Sequence, residues 1–426
     1  MTAEPADRAV EIPDTDPHDR PSESTEAAVR PAYREPAYRR YLVGEVFSVL
    51  GDQIWFVALA WKATELTSPS TAGLILSISA IPRLILMLFG GMLADRYDAR
   101  KLMVSSDLLR AAVMFAAAGI ALWQEGIFLL VLVSLVFGIV DAVFLPAAGS
   151  VRPRLLQPQQ LSSGAALREL GMRGAVTLGA PLGGLLMTAG GIPVACAANG
   201  ITFLISMMAV RTLRPRPLKS AENGQESESY IASLRGGLRY MARHRVLRGL
   251  LVTTFLVNFA FVGPMNIGLA LLARSQNWGA GGVGNMLAGF GIGAAMGAVV
   301  MVRSRRPYRA GLLIAAASVM EGVGLTGLAL ASDLWVAVVT ATFIGLVSAP
   351  LGIAAAAVMQ EDTADEFRGR VSSVNSLASL GITPLAIAVT GAAAEWFGTR
   401  VTLVASAQMA FIAGILCLAL PDLRRR

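Results

Sequence analysis

The chain has 426 residues, 54% of them hydrophobic and only 15% charged, with a mean hydropathy of +0.59. Soluble domains carry about 25% charged residues, so a soluble fold is excluded and a polytopic helical membrane protein is expected. The net charge of +7 sits in short arginine-rich loops between apolar runs, a pattern of membrane topology and not of nucleic-acid binding.

The first 37 residues are rich in Pro, Ser, Asp and Glu and hold no long apolar segment. They read as a disordered cytoplasmic tail (1–37) and not as a cleaved signal peptide. Twelve apolar runs follow, at roughly 41–63, 72–94, 102–123, 127–148, 166–189, 192–213, 249–273, 281–302, 311–331, 334–359, 372–394 and 400–420. Each approaches the ~20 residues that a helix needs to cross a bilayer.

Basic residues fall after every second run: Arg96, Arg100 and Lys101; Arg152 and Arg154; the group from Arg214 to Arg248; Arg303 to Arg309; Arg368 and Arg370; and the terminal Arg424 to Arg426. The other connections hold little beyond Lys62, Arg274 and Arg400. Even-numbered loops and both termini are therefore expected on the cytoplasmic side of the plasma membrane. The longest internal connection divides the chain into a six-helix bundle (38–213), a linker (214–248), a second six-helix bundle (249–420) and a basic tail (421–426). Within the linker, Leu234, Leu238 and Met241 recur at helical spacing while Arg235, Arg239 and Arg243 share another face. That is an amphipathic helix suited to an anionic membrane surface.

The connection after the second run reads Gly90-Gly91-Met92-Leu93-Ala94-Asp95-Arg96-Tyr97-Asp98-Ala99-Arg100-Lys101. Its glycines permit close helix packing, and its carboxylate and basic residues can make contacts that form in one conformation and break in another. Further pieces are Ser48-Val49-Leu50-Gly51-Asp52, Ser106-Asp107-Leu108-Leu109-Arg110-Ala111, Phe144-Leu145-Pro146-Ala147 and Thr363 to Val371. Together these resemble the major facilitator superfamily, and within it the drug:proton antiporter branch of macrolide-efflux proteins and the enterobactin exporter. The resemblance implies an all-α membrane protein with 12 transmembrane helices in two pseudo-symmetric six-helix bundles. It also implies a conformational latch at Gly91, Asp95, Arg96, Arg100 and Lys101, with Arg368 and Arg370 in the corresponding late loop. Asp98 departs from the family pattern, which has glycine there. A second copy of the motif, Gly297 to Arg306, is degenerate, with Met301 at the aspartate position. The fifth run, with Gly174, Gly179, Pro181, Gly183 and Gly184, matches the exporters' glycine-proline motif in part and reads equally as a packing face with a bend.

Ionisable residues inside spans cost about 2.5–3.5 kcal/mol each at mid-membrane, so they point to function. The candidates for proton coupling are Asp52, Glu45, Arg110, Asp107, Asp141, Glu321 and Arg83. Glu45 and Asp52, seven apart, share a helix face, and Asp107 and Arg110 can pair at i,i+3. Asp52 leads as the proton carrier, with Arg110 or Arg83 as counter-charge; Glu321 reads as a second carrier or as a group reaching a neighbouring helix. Candidate cavity residues are Gln53, Trp55, Asn258, Phe259 and Asn375, few and mostly apolar in setting, which suits a bulky amphiphile.

The expected function is proton-coupled export of an amphiphilic small molecule by a monomeric transporter using alternating access. The main rival is a facilitator-type importer of a polar nutrient, which would call for more hydrogen-bonding residues in the central spans. Cys196 and Cys417 lie in apolar runs and the two histidines are His18 and His244, so no metal site or cofactor is expected. No lysine follows a G-x-x-x-x-G pattern, and no span carries a catalytic constellation, so neither an enzyme nor an ATP-driven pump is expected.

Overall fold

In a computed structural model, residues 31–83, 85–86, 97–216, 230–304 and 308–424 are described. Helix α1 (Pro36–Leu66) starts with a proline in its first turn, where the missing N–H costs nothing. Ser68 caps α2 (Pro69–Ile78) and Asp98 caps α3 (Ala99–Ala121), the latter accepting from the Arg100 and Lys101 N–H groups. The departure from glycine at position 98 thus has a local reason: the side chain satisfies amides that open the third helix.

Helix α4 spans Ile127–Val151 and α5 spans Leu161–Arg211. The second of these is two membrane crossings, because Gly190 and Gly191 leave helical geometry. Gly191 has φ +66°, a conformation that favours glycine. The linker helix α6 covers Tyr230–Arg243. The seventh crossing is composite: α7 (Arg245–Gly263), a π-helical turn at Pro264–Gly268, then α8 (Leu269–Ser275). There follow α9 (Gly279–Arg303), α10 (Ala310–Leu330), α11 (Leu334–Glu361), α12 (Arg368–Phe397), α13 (Thr399–Ala419) and the short α14 (Pro421–Arg424).

Ten helical stretches among the described residues are long and apolar enough to cross a membrane. The expected twelve agrees with this once the double crossing in α5 is separated and the second run is set aside. That run, 72–94, lies partly outside the described residues. Helices pack through small side chains, with Ala58, Ala60, Ala63, Ala195, Ala270, Ala341 and Ala407 all buried, as expected where lipid gives helices no hydrophobic drive to associate. Large apolar side chains such as Trp123, Phe128, Val302 and Trp396 stay exposed, where lipid solvates them.

The two halves meet at the end away from the basic loops. There α2 crosses α12, with a Cβ built on Gly73 falling 3.0 Å from the Ile387 carbonyl oxygen and 3.2 Å from the Gly391 Cα. In the same way α5 crosses α9, where a Cβ on Gly184 would stand 2.8 Å from the Ala280 carbonyl oxygen and 3.3 Å from the Gly284 Cα. The glycine-rich face of α5 is therefore a packing face: Gly179 and Gly183 abut α1 at Leu50, Gln53 and Ile54. Polar contacts join the halves at that end too. Glu395 of α12 accepts from the Ser68 hydroxyl at 2.8 Å and the Ser70 N–H at 2.9 Å, and Ser77 donates to the Pro384 carbonyl at 2.9 Å. Toward the basic end, α5 and α9 part around a cavity of about 220 Å³ between Met172, Arg173, Phe290 and Ala294.

The amphipathic linker helix packs differently from expectation. Tyr240 stacks on Phe367 at 4.3 Å, Met241 is buried, and Gly237 lies against the Arg370 backbone. Leu238 is 52% exposed. The buried face runs through Leu234, Gly237 and Met241, because glycine at 237 lets α12 approach more closely than leucine at 238 would.

Candidate functional site

A cavity of about 380 Å³ lies among the first-half helices and reaches the second half at Asn266, Thr383, Pro384 and Ile387. Glu45, Asp52, Gln53, Trp55, Arg83, Arg110, Asp141 and Arg168 all line it. Glu45 and Asp52 are two turns apart on α1 and do share its inner face. Charges that look isolated in the sequence are gathered here into pairs.

Arg110 is the hub. Its side chain is 1% exposed and its guanidinium lies 2.6 Å from Asp107, 3.3 Å from Asp141 and 3.9 Å from Asp52. The rings of Phe144 and Phe203 stand 4.3 Å and 4.4 Å from its central carbon, giving the cation two π faces as well as carboxylates. Asp107 accepts a further hydrogen bond from Ser206 at 2.7 Å. Asp141 is shared, since Arg83 also donates to it. Beside this network Arg168 forks onto Glu45, its Nε 2.8 Å and 2.9 Å from the two carboxylate oxygens. The Arg83–Asp141 and Arg168–Glu45 pairs join residues 58 and 123 apart, which a list of intramembrane charges does not reveal.

Asp52 differs from its neighbours. Its side chain is 34% exposed to the cavity, and its one ion pair among the described residues is the longest of the network. Among the described residues, three carboxylates (Asp52, Asp107, Asp141) face two guanidiniums (Arg83, Arg110). With every group ionised that network carries one uncompensated negative charge.

Asn258 and Asn375 line a second cavity, of about 290 Å³, wholly within the second half. Glu321 of α10 lines it as well. Phe259 lines neither cavity. It is one residue, about 100° of helix, beyond Asn258, and it stacks on Phe255 with ring centroids 6.2 Å apart; as a cavity residue it is corrected. Trp55 lines the first cavity but is 5% exposed, tilted against Phe137 at 6.1 Å.

Of the expected latch, Gly91, Asp95 and Arg96 lie outside the described residues. Arg100 donates to the Leu213 carbonyl at 3.1 Å, at the end of α5. Lys101 is exposed, Arg368 pairs with Asp365 at 2.9 Å, and Arg370 lies over Phe367 at 5.5 Å. The described latch residues thus contact their own half or the linker helix. Thr383 is a cavity residue that the sequence reading did not select, and Asn266 and Arg168, polar residues of the seventh and fifth apolar runs, line the cavity as well. For Arg168 the signal existed: an arginine opening an apolar run calls for a buried acid.

The family model for transmembrane secretion effectors matches residues 27–425. The chain belongs to this family of the major facilitator superfamily. Among curated relatives, the multidrug efflux pump Tap of Mycobacterium tuberculosis is 24% identical over 419 residues, covering 93% of this chain and 96% of Tap. The enterobactin exporter EntS of Escherichia coli is 24% identical over 407 residues, covering 92% and 93%. Among solved structures, a bacterial homolog of the human lysosomal transporter Spinster, inward-facing and unoccupied, superposes with a TM-score of 0.72. It is 14% identical and covers 92% of this chain and 98% of its own. The fold is that of major facilitator transporters, and the protein is a multi-span membrane transporter of a small molecule.

Proposed function

We propose that this transporter is a proton-coupled exporter of an amphiphilic small molecule, with the basic loops and both termini in the cytoplasm and residues 38–213 and 249–420 as its two rocking bundles. The observation that carries the reading is the charge imbalance around Arg110: three carboxylates, two guanidiniums, and Asp52 as the member that is exposed and loosely held. A proton on Asp52 neutralises the network and frees Arg110 to tighten on Asp107 and Asp141. Loss of that proton restores the pull of Arg110 on Asp52. Occupation of the site by a proton thus biases the packing of α1 against α3 and α4, and a ligand shifts a conformational equilibrium by its differential affinity for the two states. A proton moving inward down the membrane potential gains about 2.3 kcal/mol per 100 mV, enough to drive a solute outward. The direction of transport is supported by the exporters among the relatives, Tap and EntS.

The closed contacts of α2 with α12 and α5 with α9 then lie on the outer side, and the cytoplasmic loop from Gly90 to Lys101 serves as the latch for the opposite, outward-facing state. The protein works as a monomer. A facilitator-type importer predicts uptake independent of the proton gradient, and flux direction separates the two.

The test is substrate accumulation in inverted membrane vesicles under an imposed pH gradient, with a panel of dyes, antibiotics and siderophores. Gradient-driven accumulation should fall about tenfold or more in Asp52→Asn, a loss of ~1.4 kcal/mol or more. Wild-type rates in that variant remove Asp52 from coupling, and accumulation without a gradient removes the antiporter.

A further inference from the structure

The second-half cavity holds the one carboxylate of the described membrane interior that nothing pairs. Glu321 is 1% exposed, and its Oε1 has no hydrogen-bond partner among the described residues. The cavity it lines is formed by α7, α10, α11 and α12. Among the described residues no basic side chain lines it, and the polar groups are Thr254, Asn258, Ser348 and Asn375. Asn258 spends its amide N–H on the Thr254 carbonyl and Ser348 its hydroxyl on the Ile344 carbonyl. What these two groups leave for an occupant is acceptor oxygen and the second Asn258 amide N–H. The remaining wall is apolar and polarisable, with Phe261, Leu351 and Met359.

A buried carboxylate without a partner costs several kcal/mol, and retaining one at the wall of a cavity points to an occupant that supplies the missing charge. We infer that this cavity is a subsite for the ammonium group of an organic cation, held by Glu321 and faced by the ring of Phe261. An inorganic ion fits poorly: about 290 Å³ is far larger than a desolvated ion, and hard cations need a shell of close oxygens. An anionic or phosphate-bearing cargo would face the Glu321 carboxylate with no basic side chain among the described lining residues to balance it. A cationic amphiphile has both requirements supplied, the carboxylate for its head and the apolar wall for its body. The inference rests on the exporter reading for its biological sense, and it narrows the cargo to protonated or quaternary amines. The first-half network then handles the proton and the second half the cargo.

The test is equilibrium binding of radiolabelled benzyltrimethylammonium, a permanent cation with one ring, to the full-length protein in detergent. Two variants are compared with wild type. Glu321→Gln removes the charge and keeps the volume. Gly352→Leu fills the cavity and leaves Glu321 intact; Gly352 lines the cavity, and a Cβ there meets nothing within 4 Å. Both variants should bind the cation about tenfold or more weakly, ~1.4 kcal/mol or more, as befits a lost charged contact. Binding by Glu321→Gln at wild-type affinity overturns the subsite, as does a wild type that binds no cation. Weakening in Glu321→Gln with no change in Gly352→Leu places the cation elsewhere and also overturns it. If the cation binds as stated but vesicles accumulate no solute under a pH gradient, the exporter reading fails and the subsite stands. If vesicles export only neutral or anionic solutes, the subsite fails and the exporter stands.

Discussion

The two halves bury charge in opposite ways. The first half places Glu45, Asp107, Asp141 and Arg110 out of solvent and gives each a partner of opposite sign. The second half buries Glu321 and gives it none among the described residues. Paired charges in a low-dielectric interior are costly to break and slow to rearrange, so they hold helices in register. An unpaired one is an open valence. Read together, the halves divide the labour: a closed network with one loosely held member, and a pocket that waits for a counter-charge.

The comparison breaks hardest at Arg110. In Arg110→Met, Asp107 loses its only cationic partner among the described residues, and destabilisation of about 3–5 kcal/mol is expected, read as loss of the monodisperse peak and of thermal stability in detergent. The double variant Arg110→Met with Asp107→Asn should recover part of that loss, because one orphaned charge has gone. At Glu321 the sign reverses: Glu321→Gln should leave the protein as stable as wild type or raise its stability, by about 1–3 kcal/mol, since a buried unpaired charge is removed. Thermal unfolding of both variants side by side decides whether the halves truly differ. At the junction of the halves, Gly184→Leu should push α5 from α9. Overpacking of about 1–3 kcal/mol disfavours the observed arrangement, and a cysteine placed near Ser70 should then become more accessible to a membrane-impermeant thiol reagent. The smallest effect belongs to Phe259→Ala, which should leave substrate accumulation unchanged, because Phe259 touches neither cavity.

Much of this architecture was legible because lipid imposes simple rules. Apolar runs marked the crossings, and the break between the runs 166–189 and 192–213 falls on the Gly190-Gly191 pair that splits one long helix into two. The span ends were less legible: α1 runs from Pro36 to Leu66, past the expected 41–63, since the exposed Arg39, Arg40 and Glu65 continue the helix without adding to its apolar run. The Asp107–Arg110 pair followed from helical spacing alone. The Arg83–Asp141 and Glu45–Arg168 pairs did not, because they depend on which helices become neighbours. Phe259 was misjudged by a single position, one step in helical phase, a difference that hydrophobicity does not encode. The bond from Glu395 to Ser68 spans 327 residues and left no trace in the local pattern.

The closed junction is made of very little. Where α5 meets α9 and α2 meets α12, the touching surfaces are glycine edges and main-chain carbonyls. Such a contact has little side-chain shape to match, the bonds of Glu395 with Ser68 and of Ser77 with the Pro384 carbonyl being its side-chain part. It is therefore mechanically generic, a bearing surface that any cargo can be carried past. Residues that choose the cargo and residues that seal the path are then separate sets. An engineer could recast the pocket around Glu321 for a different solute without retuning the seal, and a change at Gly184 or Gly284 should alter how often the transporter turns over while leaving its choice of cargo untouched.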